Sequence, residues 1–245
     1  MKNTVRLKLF VLVIVSFFFL CMLTTSACAM PIWETPVSGP DLTDSRDSNG
    51  NGITGNGAWD NGGFSLSWVV SFDSSTNYWS YLYTATITSK DISHFILEVT
   101  EDNLGFNSYG GSSPYGDDEP KTFQSTGSSG SEPNMPNPFY GIKFDFGTDE
   151  DNNKFSVDYT LITDRSPVWG VFYSKDGNAN DPLPTAWSNA LNFSDYKTNA
   201  TLTTKDFIVR PDGAGSMPVP EPSTFILVGI GLLGLGFYGR RRMKK

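Results

Sequence analysis

Cysteine is nearly missing from this sequence. The 245 residues hold two, Cys21 and Cys28, both inside an N-terminal stretch that reads as a cleaved leader. A mature chain without cysteine has no disulfide, no thiolate nucleophile and no cysteine metal site. Histidine is rarer still. His94 stands alone, which excludes a histidine-rich metal site and leaves any Ser-His-Asp triad dependent on that one residue. No Gly-x-Ser-x-Gly elbow accompanies it, and there is no His-x-x-x-His and no glycine-rich phosphate loop on a strand-to-helix turn. Positive charge is also short. Between Met30 and Glu221, ten lysines and arginines face all 26 acidic residues, a formal charge of −16. A field of that sign repels phosphate backbones, so nucleic acid is excluded as a partner. It suits solubility outside a cell or the binding of divalent cations.

The start of the chain has three zones. Lys2, Arg6 and Lys8 supply a positive end, and Leu9 to Leu23 forms an apolar core interrupted only by Ser16 and Cys21. Ala27 and Ala29 then put small residues at the −3 and −1 positions of a cut before Met30. This pattern predicts a signal peptide over residues 1–29. An uncleaved anchor helix is the alternative, but the apolar run is short for a membrane span. A lipoprotein cut at Cys28 ranks lower, because Thr25-Ser26-Ala27 lacks the leucine such a site favours.

At the other end, Phe225 to Tyr238 carries no charge, and Arg240, Arg241, Arg242, Lys244 and Lys245 follow it. As a helix that stretch spans roughly 21 Å, against an apolar bilayer core of about 30 Å. The predicted transmembrane segment, 225–239, is therefore marginal. The basic tip holds the C-terminus in the cytoplasm, and the body then lies on the far side of the membrane. Glycines at 229, 231, 234, 236 and 239 weaken the helix by about 1 kcal/mol each against alanine. Either this is a minimal anchor packed through its small residues, or it is a segment held briefly and removed.

Val219-Pro220-Glu221-Pro222, the short Gly- and Leu-rich apolar span and the terminal arginine cluster together resemble the PEP-CTERM sorting signal, covering 219–245. The resemblance implies recognition of the Pro-Glu-Pro element by an exosortase, a membrane-embedded cysteine protease. It further implies cleavage near Pro220 to Pro222, and delivery to the cell surface or extracellular matrix of a Gram-negative bacterium that makes exopolysaccharide. Residues 211–218 lack apolar periodicity and read as a linker; the prolines keep it extended, as a protease requires.

The body, 30–210, alternates with a period of two. Phe64, Leu66, Trp68, Val70 and Phe72 share one face of a stretch whose other face is mostly serine. The segments 139–146 and 155–161 alternate likewise, and 78–88, 95–100, 168–173 and 201–209 are rich in strand formers. A turn of helix is expected near Thr185 to Leu191. The pattern predicts an all-β fold, an antiparallel β-sandwich, with a single barrel as the alternative. A Ser-, Gly- and Pro-rich stretch over 110–138 reads as a long surface loop. Lys90 to Val99, Tyr140 to Asp145 and Asp164 to Gly177 are similar to segments recurring in some PEP-CTERM proteins of this size, which implies one coherent domain and nothing more.

Three chemistries are open to the body. Asp47, Asn49 and Asn51, with Gly52 at the sixth position, space oxygens as calcium loops do, but Ala58 stands where a bidentate Glu belongs. Ordinary β-turn chemistry accounts for the same residues and is the favoured reading. The acidic turns at 149–153 and 176–181 invite the same two readings. Trp59, Tyr78, Trp79, Tyr81, Trp169 and Trp187 would serve a sugar-stacking face if exposed. A glycan-active hydrolase needs two carboxylates about 5 to 10 Å apart across a cleft, a condition that so many acidic residues always meet somewhere. His94 begins an apolar strand and reads as a structural residue bonded to backbone or a carboxylate. The expectation is an exported, non-enzymatic protein without a cofactor, structural or adhesive in role. A lectin-like module that uses calcium is the alternative, with exopolysaccharide as its partner.

Overall fold

A computed structural model describes residues 32–33, 35–101, 120–125, 132–145, 155–177 and 182–212. The signal peptide with Ala27, Ala29 and Met30, the sorting motif, segment 225–239, the basic tail with Arg240, Arg241 and Arg242, and the turn at 149–153 lie outside these residues.

Period-two alternation folds as expected. The strands are β1 (Thr43–Asp47), β2 (Ile53–Asn56), β3 (Phe64–Asp73), β4 (Tyr78–Ile87), β5 (Ile92–Glu98) and β6 (Lys121–Phe123), followed by β7 (Phe139–Asp145), β8 (Ser156–Thr163), β9 (Pro167–Gly170), β10 (Phe172–Asp176), β11 (Thr185–Ser188) and β12 (Ile208–Pro211). They pair antiparallel in the orders β1-β3-β4-β8, β2-β11-β10-β5-β7-β6 and β12-β9. Helical structure among the described residues is limited to short 3-10 turns. The turn of helix expected near Thr185 is strand β11 followed by a 3-10 turn, Asn189–Asn192.

The serine side of β3 faces outward while Phe64, Leu66, Trp68 and Val70 are buried. Their partners across the four-stranded sheet, Tyr81, Tyr83, Ala85, Tyr159 and Leu161, are buried too. Rings then bridge to the six-stranded sheet. Phe95 of β5 lies 4.7 Å from Tyr159, 5.9 Å from Tyr83 and 5.4 Å from Phe172, and Phe64 stacks on Phe172 at 5.8 Å. Offset and tilted pairs at these spacings are the favoured arrangements of aromatic quadrupoles. Tyr81 donates its hydroxyl to the Arg165 carbonyl at 2.8 Å and Tyr83 to that of Val209 at 2.9 Å, so the buried phenols keep their hydrogen bonds.

The six-stranded sheet is covered on its second face as well, which explains the unbroken apolar run Phe95-Ile96-Leu97. The cover is irregular apart from two 3-10 turns, Asn189–Asn192 and Thr204–Asp206. It is made by 132–138, with Glu132 and Met135 buried, and by 189–206, with Leu191, Tyr196 and Leu202 buried. Asn137 Nδ2 joins the two at 2.8 Å from the Leu191 carbonyl. The stretch 110–138, expected as a surface loop, is thus in part structural: Lys121–Phe123 extends the sheet as β6 and Glu132 is 1 % exposed. Its Ser, Gly and Pro content conceals that role, because the burial comes from single residues and not from a run.

Candidate functional site

The residues nearest the predicted sorting signal are those of β12, whose last described neighbour is Asp212. Ile208 and Val209 pair with Gly170 and Trp169 of β9 and are fully buried, so the strand is held by its apolar residues. Arg210, between Val209 and Pro211, has no exposed surface. Its stem lies over Gly170, where a Cβ would sit 2.1 Å from Arg210 Nε; only glycine leaves room there.

A buried guanidinium must be compensated. Glu98, at the end of β5 and 1 % exposed, places Oε2 at 3.5 Å from Arg210 Nε. Arg210 Nη1 donates to Thr100 Oγ1 at 3.0 Å and to the Pro211 carbonyl at 3.1 Å. The Glu98 carboxylate also accepts from Trp33 Nε1 at 3.1 Å, from the Tyr196 hydroxyl at 2.7 Å and from the Val171 amide at 3.0 Å. Lys197 Nζ stands 3.7 Å from the same carboxylate and 4.4 Å over the Trp33 ring. One buried carboxylate of β5 therefore gathers the residues before β1, the link between β9 and β10, the covering segment and the final strand. Both its oxygens are taken up by protein donors, an arrangement that holds these segments together. Asp212 is fixed just beyond. Its amide donates to the Ser166 carbonyl at 2.8 Å, Thr100 Oγ1 donates to its Oδ1 at 3.3 Å, and Arg165 Nη1 reaches its carbonyl at 3.1 Å.

His94 forms a second buried polar group on the covered face of the six-stranded sheet. Its Nε2 lies 2.6 Å from Glu132 Oε2, and Lys175 and Lys143 stand 3.8 and 4.0 Å from that carboxylate. Asp145, paired across from His94, faces Lys143 at 3.4 Å. Burial pushes the His94 pKa below its usual 6.5, the Glu132 bond opposes this, and the two lysines push the same way as burial. The neutral ring then donates Nε2–H to the carboxylate. The ring is removed from solvent and bonded to a neighbouring acid, one of the two kinds of partner expected from the sequence.

Asp47, Asn49 and Asn51 come together as a turn. Asp47 Oδ1 accepts from the Asn49 amide at 2.8 Å, Oδ2 lies 3.4 Å from Asn51 Nδ2, and the Asp47 amide donates to the Asn51 carbonyl at 3.0 Å. Gly50 and Gly52 adopt φ of 85° and 82°, a region side-chain-bearing residues avoid. Among the described residues no three acidic, histidine or cysteine side chains are grouped so that they could hold a metal ion.

The aromatic residues considered for sugar stacking divide sharply. Trp59 and Tyr81 are fully buried, Trp169 and Trp187 nearly so, and Tyr78 and Trp79 are half-buried. Tyr81 lies on the inner face of the four-stranded sheet opposite Val70 and Leu161, and Trp59 packs on Phe64 at 5.3 Å, so these rings serve the core. Phe72, 40 % exposed beside the β3–β4 turn, was not singled out as a surface ring. Glu98 and Arg210 were missed too, although each left a signal: a lone charge inside an apolar run, in Phe95 to Val99 and in Phe207 to Pro211.

Residues 218–242 match the model of the PEP-CTERM protein-sorting motif. No curated protein and no solved structure matches the chain. The motif begins six positions beyond Asp212 and marks an exported, surface-directed substrate of an exosortase.

Proposed function

We propose that this chain is a non-enzymatic, cofactor-free β-sandwich protein that an exosortase-type protease cuts from its C-terminal anchor. The released body then acts structurally or adhesively at the surface or in the exopolysaccharide-bearing matrix of a Gram-negative bacterium. The observation that carries this reading is the sorting motif over 218–242, placed directly after a body that closes with β12. The closed aromatic interior supports it, since the rings fill the space between sheets. So does the saturation of Glu98, which leaves that buried acid committed to structure.

Mass spectrometry of the protein from the cell envelope tests the proposal. Expected are an N-terminus at Met30 and the loss of everything beyond about Pro222. The variant Glu221→Ala should keep its basic tail and stay in the membrane fraction. A full-length cytosolic protein with both termini intact refutes the reading. A glycan array on the mature form separates an adhesive role on polysaccharide from a purely structural one.

A further inference from the structure

The tip of the β3–β4 hairpin has an aromatic surface at the end of the body from which the chain leaves toward the sorting motif. Phe72, 40 % exposed, packs against half-buried Trp79 with ring centroids 4.8 Å apart. The buried Trp79 Nε1 has no hydrogen-bond partner. Trp79 pairs with Thr163, the last residue of β8. Three positions later the Ser166 carbonyl accepts the Asp212 amide at 2.8 Å, and Arg165 bonds both the Tyr81 hydroxyl and the Asp212 carbonyl. Hairpin tip and chain exit therefore share one end.

The length of chain beyond Asp212 fixes which end meets the membrane. Twelve residues separate Asp212 from Phe225, where the apolar segment starts. A proline-bearing stretch of that size covers less than about 40 Å at ~3.1 Å per residue. A body of this length is on the order of 40 Å across, so routing the tether around it to the far end takes roughly 60 Å. The exit end is thus the one presented to the bilayer. Tryptophan, tyrosine and phenylalanine are the side chains that gain from the headgroup boundary, where an apolar ring is buried and polar edges stay wet.

We infer that, while the tail is uncut, the Phe72–Trp79 hairpin tip rests on the phospholipid surface that holds the C-terminal segment. The inference depends on the membrane-anchored intermediate proposed above. Asp73 follows Phe72 in the chain and Asp164 follows Thr163, the residue paired with Trp79, so the contact is made by ring burial and not by attraction to anionic lipid. One exposed ring and its half-buried neighbours are too little to retain a free body. A short tether changes that by raising the local concentration of the surface, and cutting the tether ends the contact. Cleavage then releases the body completely, with no residual membrane affinity to overcome.

The test uses the signal-cleaved, tail-bearing form, which has no cysteine, reconstituted in vesicles of phosphatidylethanolamine and phosphatidylglycerol. An NBD label is placed at Phe72→Cys or, at the opposite end of β8, at Phe155→Cys, which is 50 % exposed. Doxyl lipids should quench the label at 72, leave the label at 155 bright, and give the same result in high salt. Both positions are exposed, so neither change threatens the fold, and near-ultraviolet circular dichroism checks it. If the protein floats with the vesicles and neither label is quenched, or both are, the tip does not dock and the tail reading stands. If the protein does not float, the anchored intermediate is wrong and the docking falls with it.

Discussion

Arg210 Nε and Glu98 Oε2 stand 3.5 Å apart, and neither side chain reaches solvent. Removing one partner strands the other charge in the interior. Glu98→Ala should therefore cost about 3–5 kcal/mol in urea denaturation. The double variant Glu98→Gln, Arg210→Met removes both charges of this pair and should lose less than Glu98→Ala alone. A larger loss in the double variant would mean that the ion pair contributes chiefly through packing.

Phe95 touches rings from both principal sheets. Phe95→Ala should destabilise by about 3–5 kcal/mol, since transfer and cavity terms add. A loss below 1 kcal/mol would show that the sheets do not share this interior.

Acid should weaken the protein through His94. Its pKa is lowered on folding, so below the usual 6.5 the unfolded chain binds the proton that the native ring resists. Stability then falls as pH drops below about 6.5, and the fall ends where the folded ring itself takes up the proton. The groups facing the ring are Glu132, Lys143, Lys175 and Asp145. Denaturation of the protein and of His94→Gln across this range should differ in slope, with the variant flatter. Equal slopes would assign the acid sensitivity elsewhere.

The fold was legible where one face of a strand meets water. β3 and β8 carry serine, threonine and aspartate on alternate positions, and period two found them. It did not find β1 (Thr-Asp-Ser-Arg-Asp) or β2 (Ile-Thr-Gly-Asn), which have little apolar content and exist by pairing with β3 and β11. The predicted strand at 201–209 is strand only from Ile208, because Thr203 and Asp206 close a capping box around the 3-10 turn before it. Of the site, the address was readable because it is a contiguous motif. The Glu98–Arg210 contact was not, because its partners are distant in sequence and only the topology joins them.

Asp47 separates the turn reading from the calcium reading. As the acceptor of the Asn49 amide it should contribute about 1 kcal/mol, lost in Asp47→Ala whether or not calcium is present. A rise in Tm on adding calcium to the unmodified protein, abolished by the variant, would assign the loop to the metal.

The last strand carries a consequence for biogenesis. Thr100 waits for a guanidinium encoded 110 positions later, and Tyr83 for a carbonyl 126 positions later. A chain crossing a membrane from its amino end delivers those groups almost last, so the interior closes only when translocation is nearly done. A prematurely terminated polypeptide would lack both the keystone arginine and the postal code, and envelope proteases would meet it unfolded. The groups that close the interior and the motif that directs the protein outward thus emerge one shortly after the other, at 209–210 and 218–242.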